Sequence, residues 1–341
     1  MAVDAGLASL SDHLFGGALL AYAPAALGFA VEAAFGDRGS REAVAPEVSS
    51  VREPALVGGS TASSAVGQLS GLEPPALAHS GGGGRRSVWD RLGRLAVVLT
   101  VIGFALHGAS IVTRGLAAGR VPWGNMCEFI SATCFAVVGA YLWLLWRERA
   151  RFLGAFVLGP VLLSMGLAGT VLYTSAGPVQ PVLSTYWLPI HVTAAIVATG
   201  IFVLGSTAAM LHLMSLHHDV VVAEGKRPGF SGLATNLPSA ESLDRLAQKA
   251  IGLAFPIWTF AVIAGAIWAE SAWGRYWGWD PKETWAFITW VAYAAYLHAR
   301  STAGWRGRAA SWIAVLALVC LLFNFFGVNL VITGKHSYAG V

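Results

Sequence analysis

The densest chemistry in the chain lies in one stretch, Trp268–Ala269–Glu270–Ser271–Ala272–Trp273–Gly274–Arg275–Tyr276–Trp277–Gly278–Trp279–Asp280–Pro281–Lys282–Glu283–Thr284–Trp285. With Trp290 it holds six of the 14 tryptophans within 23 residues. An interfacial belt accounts for one or two tryptophans at a helix end. It does not account for this density, nor for glycine spacers that let a backbone approach a flat surface. The indoles, above all Trp273, Trp277, Trp279 and Trp285, read as a platform for a planar aromatic ligand. Inside the stretch, Asp280–Pro281–Lys282–Glu283 has the order of a helix start: a favoured N-cap, a proline at the first helical position, and a glutamate three residues after the cap. Asp280 and Glu283 are therefore expected to start a helix and position the loop, not to serve as acid and base.

The elements that carry this stretch are apolar. Of 341 residues 56% are hydrophobic and only 12% charged, about half the charge of a soluble domain. Mean hydropathy is +0.62. These values exclude an ordinary water-soluble enzyme and a disordered chain, and the net charge of +4 gives no reason to expect a nucleic-acid partner. A helix needs about 20 mostly apolar residues to cross a bilayer. Eight stretches qualify: 13–35, 92–113, 127–146, 152–173, 191–216, 251–270, 283–299 and 309–332. The expected fold is thus an all-α polytopic membrane protein of about eight transmembrane helices, with the Trp-rich loop 268–285 between spans six and seven. Residues 1–35 form an N-terminal span without the basic start of a cleaved signal. Residues 36–90, rich in Ala, Gly, Pro and Ser, read as a flexible cytoplasmic linker, and 91–341 as a seven-span core.

Basic loops stay cytoplasmic. With both termini outside, the inner segments 36–94, 147–151, 217–249 and 299–308 hold 17 of the 22 Lys and Arg residues. This favours N-out, C-out, and it sorts the histidines. His191 opens the fifth span outside, and His336 follows the eighth, also outside. His298 closes the seventh span inside, about 24 Å below its outer end at 1.5 Å per residue. His107 lies in span two as a weaker second inner candidate, and His212, His217 and His218 are expected on a wet basic rim. His13 and His79 carry no motif. Cys127, Cys134 and Cys320 form no CxxC and read as small buried hydrophobes. Arg114 and Arg120 lie outside near Asn125, with a bound carboxylate or a partner as open alternatives.

The stretch WGRYWGWDPKETWAFITW resembles the WWD signature of haem-handling membrane proteins, and its surroundings resemble the CcsA (ResC) branch used in cytochrome c maturation. STYWLPIHV around His191, YAAYLHAR around His298 and NLVITGKHSYAGV around His336 carry the same likeness. VPWGNMCEFISA at 121–132 resembles the family's first outer loop, with Asn125 and Glu128 in place and Cys127 where an aromatic is more usual. The likeness covers about 90–341.

The resemblance implies that His191 and His336 are the external axial ligands of haem iron, a role that suits neutral imidazole. It implies that His298 is the ligand of an inner transmembrane haem site, sharing iron with a CcsB/ResB-like partner, and that Arg300 supports that haem's propionates. The cargo is expected to be haem b. The function implied is that of a membrane subunit of a cytochrome c synthase, a haem lyase complex, which moves haem outward for attachment to the CxxCH segment of apocytochrome c. Thiol-reducing maturation proteins are implied as further partners. Two alternatives stay open: a haem exporter or chaperone of the CcmC or CcmF kind without ligation activity, and a di-haem electron-transfer subunit. The expected setting is the bacterial plasma membrane, multi-pass, ahead of the thylakoid.

Overall fold

The computed structural model describes residues 3–35, 83–148, 150–177, 185–226, 237–332 and 334. The linker up to residue 82 and His336 lie outside the described residues. All regular structure among the described residues is helical: α1 (Ala5–Phe35), α2 (Gly83–Ala118), α3 (Met126–Glu148), α4 (Gly154–Thr170) after a 3-10 turn, α5 (Trp187–Ala223), α6 (Ala240–Trp273), α7 (Pro281–Ser301) and α8 (Arg308–Leu322). A π turn, Phe323–Gly327, joins α8 to the short α9 (Val328–Val331). The chain is a polytopic all-α membrane protein. Among the described residues seven helices are long and apolar enough to cross a bilayer. The one expected span outside that set is α7, whose 21 residues carry Trp285, Trp290, Tyr293, Tyr296 and His298 where the other spans have aliphatics.

Two cores share α5. One joins α1 to α4, with Tyr22, Phe29, Tyr141 and Met165 fully buried. The other joins α5 to α8 around Phe202 and Tyr293, stacked at 3.6 Å and 7°. The first span is built into its half. Ser11 Oγ donates to Ser110 O and Ser110 Oγ to Ser11 O, each at 2.9 Å. At the far end Glu32 lies against Gly93 of α2, so α1 runs antiparallel to α2; Glu32 also pairs with Arg151 at 3.3 Å.

Several helices overrun the apolar stretches that announce them. α6 begins at Ala240, capped by Ser239, well before the expected 251. Its first turns, Ala240–Ala250, are amphipathic: they present Asp244 to α7 and bury Leu243 and Ala247. Hydropathy reads only the part in lipid. α7 starts where its capping box puts it: Asp280 accepts from Lys282 N at 3.1 Å, and Glu283 Oε2 accepts from Asp280 N at 3.1 Å.

Candidate functional site

Where α3, α5 and α7 begin and α6 and α8 finish, the two halves leave a cavity of about 1230 Å³, part of it open to solvent. Ala195, Thr199, Trp258, Val262 and Leu321 line its deeper part, and Trp273, Tyr276 and Trp277 come from the loop above.

His191 lies one turn into α5 on the cavity wall. Its Nδ1 is 2.8 Å from the carbonyl oxygen of Ala261 on α6. A carbonyl only accepts, so in the neutral ring Nδ1 carries the proton and the lone pair resides on Nε2. This tautomer is the one commonly used for metal ligation, oriented by a carbonyl behind it. The ring is parallel to Trp268 within 5°, centroids 6.3 Å apart. Trp273 then meets Trp268 edge to face at 4.9 Å.

The four platform tryptophans do not share one surface. Trp273 and Trp277 line the cavity. Trp285 packs instead on Phe323, 4.2 Å between centroids, and Trp279 is 68% exposed. The cause at Trp279 is local. Glu283 Oε2 accepts from Gly278 N at 2.8 Å as well as from Asp280 N, and the residue bridged between them takes φ +55°. That left-handed conformation is rare for a bulky side chain, and the same carboxylate that caps α7 holds it.

On the wall formed by α7 and α8, Lys282 Nζ donates to Asn324 O in the π turn at 2.7 Å. Single π turns inside helices recur at functional sites. Trp123 Nε1, Glu283 Oε1 and Asn324 Oδ1 belong to residues lining this cavity; all three are buried and have no hydrogen-bond partner among the described residues. Buried polar atoms without partners are uncommon, and a guest or ordered water is the usual remedy. Trp123, Trp258, Lys282 and Asn324 were not legible as cavity residues, because helix crossing and the π turn bring them there.

Asn125 and Glu128 fix the first outer loop. Asn125 Oδ1 accepts from Glu128 N at 2.9 Å, in the manner of an N-cap for α3. The Glu128 side chain is fully buried and takes Arg114 at 3.0 Å and Arg120 at 2.8 Å. It also accepts from Gly124 N at 2.8 Å. Both arginines are thereby committed within the chain, which answers the question their sequence positions left open.

At the opposite end of α7, His298 is exposed, and its ring makes no hydrogen bond among the described residues. Arg300 pairs with Asp244 and bonds Gln248. His212 is not on a wet rim: it is 3% exposed, with Nδ1 2.7 Å from Ser311 Oγ. A polar partner on α8 makes that burial affordable. His107 is fully buried, bonded to Ser131 Oγ at 2.9 Å and enclosed by Phe15, Tyr22 and Phe135. Gly334, two residues before His336, lies against Asp280 and Pro281 at the loop.

The profile of the family described as Cytochrome C assembly protein matches residues 123–336. The chain is 34% identical over 239 residues to a cytochrome c biogenesis protein CcsA of Guillardia theta, covering 66% of this chain and 79% of that one. It is 34% identical over 277 residues to the CcsA of Microcystis aeruginosa, covering 69% and 83%. To the CcsA of Porphyra purpurea it is 30% identical over 279 residues, covering 72% and 88%.

Proposed function

The chain belongs to the CcsA cytochrome c biogenesis family and acts in cytochrome c maturation, and on that premise we propose that it carries haem b from the cytoplasmic side to the cavity beside His191. There the haem is presented to the CxxCH segment of apocytochrome c. In this reading the chain is the membrane subunit of a synthase, crosses the bilayer eight times with α7 included, and has both termini outside. Its setting is the bacterial plasma membrane.

The observation that carries this reading is the His191 environment: an imidazole whose Nδ1 is held by the Ala261 carbonyl, on the wall of a cavity lined with indoles. His336 is the proposed second axial ligand, and the position of Gly334 beside Asp280 supports it. Lys282, on the cavity wall, is the proposed hydrogen-bond donor to a haem carboxylate. Each apocytochrome thiol then adds across one vinyl group: a carbon–sulfur bond forms, the thiol proton ends on the other vinyl carbon, and no oxidant is needed. The chain contributes orientation and proximity and needs no nucleophile of its own.

His298 is the proposed inner ligand. Its exposed ring suits a second ligand from a neighbouring CcsB/ResB-like chain better than a site closed within this one. Arg300, committed to Asp244, holds α7 to α6 at that end and acts on haem only through position. Thiol-reducing maturation proteins complete the set of partners.

The test is cytochrome c assembly in cells carrying His191→Ala or His336→Ala. Each is expected to abolish assembly, and added imidazole is expected to restore part of it by filling the vacant axial position. Normal maturation in the double variant contradicts the reading.

A further inference from the structure

We propose that Gly265 is the positioning residue for His191, a role that rests on the reading of His191 as an iron ligand. The two residues lie on different helices, α5 and α6. A Cβ built on Gly265 would stand 2.6 Å from His191 Cε1, 2.8 Å from Nδ1 and 3.3 Å from Nε2. Real Cβ contacts essentially never fall below 3.0 Å. The imidazole therefore lies directly against the backbone of α6, in space that only a missing side chain leaves.

Three features of one helix then fix the ring. Ala261, one turn before Gly265, accepts from Nδ1 at 2.8 Å and sets the tautomer. Gly265 provides the floor. Trp268, three residues later, lies parallel to the ring at 6.3 Å. The spacing 261–265–268 follows one helix face, so α6 presents carbonyl, floor and indole as one surface. A methyl at 265 must push the ring off that surface. This stretches or breaks the bond to Ala261, and Nε2 no longer stands where iron would meet it. Gly252 in the same helix has nothing within 4 Å of a built Cβ, so the demand for glycine at 265 comes from the histidine and not from the helix.

The experiment titrates haemin into the detergent-solubilised full-length chain and its variants, reading absorption spectra with and without millimolar imidazole. Gly265→Ala is expected to weaken haem binding about 10- to 100-fold, the usual cost of losing a ligand's outer support, and to lose the low-spin signature of axial imidazole. Added imidazole should restore that signature. His191→Ala should match it, the double variant should be no worse than either single one, and Gly252→Ala should behave as wild type. If Gly265→Ala does not fold, folding of the Gly265→Ala/His191→Ala double variant supports the proposal, because removing the ring removes the collision. Failure of both to fold puts the collision elsewhere and overturns it. A wild-type spectrum and affinity in Gly265→Ala, with His191→Ala altered, overturns the positioning role alone. An unaltered His191→Ala overturns the ligand reading and this one together.

Discussion

The two ends of α7 make opposite use of the same kinds of side chain. At its start, aromatic and polar groups turn inward onto a cavity, and His191 is braced on three sides by α6. Toward its end, about 26 Å along the axis to His298 at 1.5 Å per residue, the aromatic residues Tyr293 and Tyr296 are buried in the core while His298 is exposed. Charges differ likewise. Lys282 sits on a cavity wall and bonds a backbone carbonyl, whereas Arg300 is spent on Asp244. A site closed by its own chain can hold and orient a guest alone. An exposed ligand on a helix face needs another surface to complete it. The contrast argues for two haem positions of different kind, one self-contained and one shared.

The sharpest way to break this contrast is through sidedness, where the effect is all or none. A cysteine introduced singly at Ser271 should react with an impermeant thiol reagent in intact cells. One introduced at Ser242, at the far end of the bundle, should be protected until the membrane is opened. Reversal of the two overturns the assignment of ends.

Next in size is the difference between two neighbouring indoles. Trp277→Ala should weaken haem binding by about 1–3 kcal/mol, by analogy with base stacking on aromatic rings, or roughly 5- to 150-fold. Trp279→Ala should have a much smaller effect in the same titration, because that ring is exposed and does not line the cavity. Equal losses mean that Trp279 does reach the guest.

The smallest effect belongs to the cap. Asp280→Ala should cost on the order of 1 kcal/mol of stability, read as a lower melting temperature with the haem spectrum retained. Loss of the haem spectrum without loss of stability gives Asp280 a direct part in the site.

Much of this was legible because it is local. Apolar run length marks the spans, and the order Asp280–Pro281–Lys282–Glu283 marks the start of α7. The tryptophan density marked the loop, yet not which rings turn inward, since Trp279 is set by a carboxylate four residues on that also binds Gly278 N. Arg114 and Arg120 were visible as charges, while their shared partner Glu128 depends on how α2 meets α3. The polar first turns of α6 escaped hydropathy because they pack on protein beyond the apolar stretch. Gly265 carried no signal at all, since its purpose appears only when α5 crosses α6.

The measurement that bears most directly on haem passing from one end to the other is an absorption spectrum of the chain purified with its partner, wild type against His298→Ala, before and after haemin is supplied from outside. Little haem is expected in His298→Ala as purified, with added haemin restoring the axial-imidazole spectrum because the cavity beside His191 is intact. Full haem content in His298→Ala, together with normal cytochrome c assembly, would contradict the transfer and leave His298 a surface residue.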